Sequence, residues 1–524
     1  MTEPATDSLA PAPKATGYSW YVLVVLVVVY ILNFIDRQIL SILANDIKAD
    51  LGLSDADLGF LYGTAFAVFY ALFGIPLGRL ADSWHRVRLL SFGLGLWSLM
   101  TAFSGFARNG AMLTGARIGV GVGEATASPS AYSLIADLFP REQRATALAI
   151  YSSGLYLGGG LSILFGGQIA ERWNAAWPTG GPMGLVGWQA AFMAVGLPGL
   201  LLALWVSTLR EPVRGAIDGL PTPSDPAPFR GFFAELLEVI PPLTLIGAAR
   251  RGMAALAINL LAAGLIALCA YGMTSWLGGA TKQQWIFVGV GVYAVFSWAN
   301  ALRHRDPATF ALIWGSPAFL TTMLGYGTIA FTSYAATFFG APFAERVYDI
   351  SKTEIGWLVG APAALAGFVG VILGGKAADM LQSRFANGRV MVVLFGLLAP
   401  IAPMVIAYTA NDRWTFIVYS FVSLAASASA LGAAAATTQS LVLPRMRGTA
   451  TATFFLATTL VGLALGPFMA GYVSSVNEDD LGTGVLSTLA VVPIGFALLV
   501  AALWLVPRAM AGLLDKARGL GEPV

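Results

Sequence analysis

A soluble chain of 524 residues would be expected to hold several domains, but here 57% of residues are hydrophobic and only 11% charged, with a mean hydropathy of +0.73. That charge density is less than half the soluble norm, so the sequence reads as an all-α polytopic membrane protein. A net charge of +2 gives no footprint for nucleic acid, and the lone Cys269 rules out a disulfide framework. His85 and His304 stand far apart beside arginines, so neither a His-rich metal site nor any other cofactor is indicated.

Residues 1–17 are rich in Pro, Ala and Thr and are expected to form a disordered tail without a signal peptide. Six apolar spans follow, at about 19–44, 56–81, 87–107, 110–139, 145–170 and 187–209. The stretch 210–250 breaks the pattern with prolines and charges, and 231–246 within it fits either an amphipathic surface helix or a plain linker. Two spans come next, at about 252–274 and 284–302, then six more at 308–341, 354–378, 389–410, 413–443, 448–475 and 483–507. Basic loops recur on one side (Arg86 and Arg88, Arg141 and Arg144, Arg210 and Arg214, Arg250 and Arg251, Arg384 and Arg389, Arg445 and Arg447). The opposite loops carry Asp46, Asp50, Asp55, Asp57, Glu478, Asp479 and Asp480. By the positive-inside rule both termini are expected in the cytoplasm.

The chain also repeats itself at an offset near 300 residues. Gly78-Arg-Leu-Ala-Asp82 is echoed by Gly375-Lys-Ala-Ala-Asp379, and Pro140-Arg-Glu-Gln-Arg144 by Pro444-Arg-Met-Arg447. A repeat of six spans in one orientation implies two similar bundles with a cavity at their interface. The expected division is a tail (1–17), a six-helix bundle (18–209), a linker with the two extra helices (210–307), a second six-helix bundle (308–507) and a C-terminal tail (508–524).

The fourth span carries Arg117-Ile-Gly-Val-Gly-Val-Gly-Glu124 in an apolar run. Charges there are costly and mark function. Two helical turns put Arg117 and Glu124 on one face, while Gly115, Gly119 and Gly123 form a small-residue face for close packing. Span 1 carries Asp36 and Arg37, ~26 Å above its basic end, and Glu124 lies at a comparable ~22 Å, so Arg37 and Glu124 are expected to pair. Asp36 and Arg117 are expected to do likewise. Burial disfavours a charged carboxylate and a nearby arginine favours it, so Glu124 and Asp36 are candidate proton-coupling groups. A permanent structural ion pair is the other reading.

These motifs resemble the major facilitator superfamily over about 19–209 and 308–507. Gly78, Leu80, Asp82, Arg86 and Arg88 match its loop 2–3 signature, with His85 where the family usually has glycine; Gly375 and Asp379 keep part of the second copy. Arg117, Gly121 and Gly123 match the span-4 motif. Asn33-Phe-Ile-Asp36-Arg37 with Gly123-Glu124-Ala125 resembles bacterial spinster-type transporters of sphingolipids and lysolipids; organic-anion symporters share a similar pattern. The resemblance implies a major facilitator fold of two pseudo-two-fold-related bundles, here with two additional helices, set in a bacterial inner membrane. It also implies a conformational gate in which Asp82 meets span 11 of the core and a basic partner from loop 4–5, Arg141 or Arg144, in the outward-open state.

The second bundle's first span carries no charge between Asp306 and Glu345, and its hydroxyls and aromatics include Tyr326, Tyr334 and Phe338, with Phe454 in a later span. Together with Asn33, Arg37, Arg117 and Glu124 they form the expected substrate set: charges on one wall, apolar groups on the other, as an amphiphile requires. The sequence therefore reads as a proton-coupled secondary transporter of a lipid-like substrate, acting as a monomer among membrane lipids. The alternatives are an organic-anion/proton symporter or multidrug efflux. An enzyme is disfavoured because no nucleophile or acid–base cluster stands out in the spans.

Overall fold

The computed structural model describes residues 15–218 and 225–523; the expected tail over 1–14, linker residues 219–224 and Val524 lie outside the described residues. Every regular element among the described residues is helical, and twelve helices are long and apolar enough to cross a membrane. The first bundle comprises α1 (Gly17–Leu51), α2 (Asp55–Ser83), α3 (Arg86–Ser104), α4 (Gly110–Glu124), α5 (Ala127–Leu138), α6 (Arg141–Ala176) and α7 (Gly187–Ser207). Between the bundles come α8 (Pro228–Val239), α9 (Leu243–Arg251), α10 (Met253–Leu277) and α11 (Lys282–Arg305). The second bundle comprises α12 (Pro307–Ile313), α13 (Pro317–Tyr348), α14 (Lys352–Gln382), α15 (Gly388–Tyr408), α16 (Arg413–Ser440), α17 (Pro444–Val476) and α18 (Leu481–Ala511), and a short α19 (Leu513–Gly519) closes the chain.

Local chemistry sets these boundaries. α1 starts at a capping box between Thr16 and Ser19 and stops at Gly52, whose φ of 63° is left-handed. α2 starts at a second box, Ser54 with Asp57, so the turn between them is only a few residues long. The fourth span is two helices joined at Ala125 and Thr126, both of which keep right-handed helical angles, so α4 and α5 continue one another.

Two expectations are corrected. The span expected at 308–341 is α13, displaced to Pro317–Tyr348 and entered through α12 at a 56° bend, because Gly315-Ser316-Pro317 ends one helix and caps the next. The segment 231–246 is neither one surface helix nor a plain linker: α8 and α9 meet at 96° across Pro241 and Pro242. α8 packs on α2, with Ser83 Oγ donating to the Pro228 carbonyl at 3.0 Å.

The bundles meet along three symmetric seams, α1 with α13, α2 with α17 and α6 with α14. Contact is closest toward the end that carries the acidic loops. A Cβ on Gly59 would lie 2.3 Å from the Pro467 carbonyl oxygen, and one on Gly160 would lie 2.8 Å from that of Gly360, so backbone touches backbone at both seams. α11 lies across the α2–α17 seam, with Trp298 and Ala294 packed among Val68, Leu72 and Leu456. α10 packs outside α11 and is largely exposed.

Candidate functional site

The helix rotations that bury the first bundle's apolar faces also turn its charges inward. Arg37 donates to Glu124 Oε2 from Nη2 at 2.6 Å and from Nε at 3.2 Å, so the expected pair is formed. The guanidinium lies over three rings, Phe66 at 4.5 Å, Phe34 at 4.7 Å and Tyr70 at 5.2 Å, an aromatic cage that holds a cation in an apolar surround. Asn33 is buried beside the Glu124 carboxylate. Tyr334 of α13, half-buried, lies on this side of the second bundle.

The expected Asp36–Arg117 pair is corrected. Arg117 Nη1 donates at 3.2 Å to the main-chain carbonyl of Asp36, not to its carboxylate. The two groups do share a depth, but α1 turns the Asp36 side chain toward α3, where Trp97 and Thr101 face it. Both Asp36 carboxylate oxygens, Glu124 Oε1 and the Nε and Nη2 of Arg117 are buried without a hydrogen-bond partner. Trp97 Nε1, Ser98 Oγ, Thr101 Oγ1 and Ser130 Oγ are likewise unpartnered. Buried polar atoms are normally satisfied, so this cluster, in which Trp97 and Thr101 face the Asp36 carboxylate, is the polar interior of the first bundle.

The aromatic set is dispersed. Phe338 is fully buried, stacked on Tyr62 at 4.3 Å where the bundles touch. Tyr326 stacks on Phe454 at 5.1 Å inside the second bundle's own core. The cavity on this side is instead a narrow one of about 70 Å³ among α13, α14, α15 and α16, with Ser333, Leu358, Met404, Phe421 and Ser427 in its walls and no charged group. Small residues at seven- and four-residue spacing were the available signal, and the larger aromatics masked it.

At the gate end, Asp82 is exposed, with Arg214, Arg79 and Arg86 as the basic groups around it. Arg144 does not meet Asp82; it donates to Asp218 at 2.8 Å and to the Phe139 carbonyl at 2.9 Å. The Arg141 side chain lies outside the described residues. Arg86 is fully buried and binds Asp137, Glu211 and the Pro212 carbonyl, which ties α3 to α5 and to the segment after α7. Arg88 and Asp379 are exposed, Asp379 lying 3.9 Å from Arg389, and Gly78 has open space around it.

The sequence reading missed the contact network at the opposite, acidic end. Asp55 is fully buried and receives both arms of Arg346, at 2.7 and 2.8 Å, together with Lys48 at 3.1 Å and Ser474 Oγ at 2.8 Å. Arg346 also reaches Asn45 at 2.7 Å, and Lys352 bridges Asp46 and Glu345. The acidic end is thus latched across the seam. Among the described residues, no comparable bridge joins Asp82 to α17 at the basic end.

Two pseudo-symmetric bundles that meet around buried charges and are latched at one end only have the construction of an alternating-access transporter. The Major Facilitator Superfamily profile matches residues 26–342, and the chain belongs to that family. It is 27% identical to an MFS-type efflux pump of Mycolicibacterium smegmatis over 95% of both chains. It is 24% identical to protein spinster homolog 1 of Xenopus tropicalis over 90% of this chain and 77% of that one. A probable galactarate/D-glucarate transporter of Bacillus subtilis is 29% identical over 40% of this chain and 44% of its own length. Among solved structures, a bacterial homolog of the human lysosomal transporter Spinster, inward-facing and unoccupied, superposes with a TM-score of 0.66 at 27% identity, covering 96% of this chain and 98% of that one. The chain is therefore a spinster-like multi-pass transporter, of a family and fold that are not enzymes.

Proposed function

We propose that this protein is a proton-coupled secondary transporter that moves an amphiphilic, lipid-like molecule across a bacterial inner membrane by alternating access, working as a monomer. The observation that carries this reading is the Arg37–Glu124 pair. It is a buried ion pair inside an aromatic cage, with the Arg37 side chain still 10% exposed, beside a second bundle whose cavity has no charge. An arginine so held grips an anionic or zwitterionic head group bidentately. When the head group takes Arg37, Glu124 loses its counter-charge and accepts a proton, which links the two movements. Asp36, buried with both oxygens unpartnered, is the second candidate proton acceptor.

The basic end is assigned to the cytoplasm, with both termini, and the latched acidic end to the outside, which makes this an inward-facing state. The charge-free cavity of the second bundle takes the substrate's chain and widens to do so. The probable galactarate/D-glucarate transporter, similar over 40% of this chain, supports an organic-anion symporter as a second reading. Uptake into proteoliposomes with an imposed pH gradient tests the proposal. A lysolipid should be moved with the gradient and a di-acid should not; the reverse result establishes the symporter.

A further inference from the structure

A groove lies outside both bundles. It has a volume of about 540 Å³ and runs between α10 and α11. Its walls are Ala263, Ile266, Ala267 and Ala270 on one side and Ile286, Gly289 and Val290 on the other, almost wholly apolar. Small residues leave the groove unfilled: a Cβ on Gly289 would sit at ordinary contact distance from Ile266 and Ala270, at 3.4 and 3.8 Å. Its size is that of a ligand site. Along α11 it extends from Lys282 to Tyr293, eleven residues or ~16 Å.

The ends differ in chemistry. At the acidic end Tyr271, Thr274 and Lys282 all line the groove. Lys282 is exposed and forms none of the ion pairs found among the described residues, whereas its neighbours at this end, Lys48, Arg346 and Lys352, each hold carboxylates. Trp276 and Tyr271 are among the most exposed aromatics of the molecule, which places this end at a head-group boundary. At the basic end the groove closes on Pro241 and on Tyr293, whose hydroxyl is engaged by Thr244 at 3.2 Å.

We propose that this groove is a binding site for one anionic phospholipid of the surrounding bilayer, its phosphate on Lys282 and Tyr271 and one acyl chain between α10 and α11. Charge complementarity selects the occupant: an unpaired ammonium and the Tyr271 hydroxyl at head-group depth fit a lipid phosphate, and the alanine- and glycine-lined walls fit a chain. The opposite face of α11 lies on the α2–α17 seam, so the lipid buttresses the helix that spans both bundles.

Native mass spectrometry tests the site on the full chain, taken from vesicles of equal phosphatidylglycerol and phosphatidylcholine into detergent. One phosphatidylglycerol per chain should be retained in preference to phosphatidylcholine. Lys282→Gln should weaken that retention about fivefold, the worth of one lysine at a membrane surface, and Lys282→Arg should restore it. Ala267→Phe, which fills the groove, should abolish it without touching the charge. Equal retention of both lipids, or retention unchanged in Lys282→Gln and Ala267→Phe, overturns the proposal. So does a lipid-free dimer, which would mean that a second copy covers this face.

Discussion

Arg346 of the second bundle grips Asp55 of the first with both guanidinium arms, at 2.7 and 2.8 Å, where Asp55 is sealed from solvent by the close packing of α2 on α17. A buried, bidentate pair of this kind is strong while made, and breaking one partner costs about 3–5 kcal/mol. It is also the interaction that must be lost for the acidic end to open. Asp55→Asn is therefore expected to favour the opposite state, since a few kcal/mol separates such conformers. Spin labels at Ala49 and Asn477, on a Cys269→Ser background, should report longer distances in this variant. If Asp82 latches the basic end when that end closes, Asp82→Asn should act with the opposite sign, because among the described residues Asp82 bridges to none of the second bundle. Unchanged distances in Asp55→Asn would remove the pair from the gate.

Glu124→Gln is expected to keep the fold, because the amide still accepts from Arg37 and its size is unchanged. Transport driven by a pH gradient should be lost, while exchange of substrate across vesicles without a gradient persists. Arg37→Ala is the harsher change: it leaves Glu124 buried without its counter-charge, at about 3–5 kcal/mol if the carboxylate stays ionised. Thermal unfolding should separate the two variants, the first near wild type and the second well below. Full gradient-driven transport by Glu124→Gln would sink its proton role.

How far these features were legible in the chain follows from how each is encoded. Arg37 and Glu124 stood out because charges in apolar spans are rare and helical rise gives their depth. Depth does not give rotation about the helix axis, so Asp36 and Arg117 were expected to pair when only the main-chain carbonyl is engaged. The Asp55–Arg346 latch was hidden for another reason. Asp55 sits among Asp46, Asp50 and Asp57 in what reads as a solvated acidic turn, and only the packing of the bundles buries it. Large aromatics were expected to line the substrate path, yet Phe338, Tyr326 and Phe454 fill cores, and the cavity walls are mostly smaller residues such as Ser333 and Ser427. Bulk favours packing, and space is left where side chains are small.

Neither extra helix carries a charge deep in the membrane, which by itself would leave the pair dispensable. The structure places Gln284 of α11 at a buried node: Thr64 Oγ1 of α2 bonds to Gln284 Oε1 and to the Ala464 carbonyl of α17, each at 2.6 Å, and Gln284 Nε2 donates to the same carbonyl at 3.2 Å. The node joins both bundles across a seam that must slide. Gln284→Leu should keep the fold and change the turnover rate severalfold in either direction, with substrate affinity nearly constant. Turnover at the wild-type rate would restore the view that the pair is an ornament of the fold.

At the basic end, Arg445 donates to Asp306 at 2.7 Å and also pairs with Glu522, joining the start of α17, the cap of α12 and the C-terminal segment. The Arg445 hydrogen bonds hold the Asp306 carboxyl well below the usual carboxylate range. A group depressed in the folded state contributes stability that is complete above its unfolded value and is lost as pH falls toward the folded one. The destabilisation caused by Arg445→Gln should thus be constant from pH 8 to about pH 5 and shrink below about pH 4. Because the arginine is half exposed, its Asp306 contact is worth at most about 1 kcal/mol. Unfolding midpoints of wild type and variant across that range check the sign, and a gap that widens in acid would contradict it.

The substrate's chain offers the sharpest expectation. If its head group takes Arg37 and its tail enters the charge-free cavity of the second bundle, affinity must rise with chain length at fixed head group. Each buried methylene contributes ~0.8 kcal/mol, close to fourfold in affinity, until the cavity is full. The cavity is narrow in this structure, so its walls set the plateau. Ser427→Phe and Ala363→Phe, both in those walls, should bring the plateau to shorter chains and leave the affinity of the shortest homologue unchanged, because the Arg37 cage is untouched. Arg37→Lys should do the converse, weakening every member of the series by one factor, since a lysine loses the bidentate grip and keeps the charge. Binding isotherms for a phosphate-headed series from short to long chain, measured on wild type and these three variants, resolve the two effects. A flat series in the wild type would mean that no chain is buried there, and the organic-anion reading would then stand in its place.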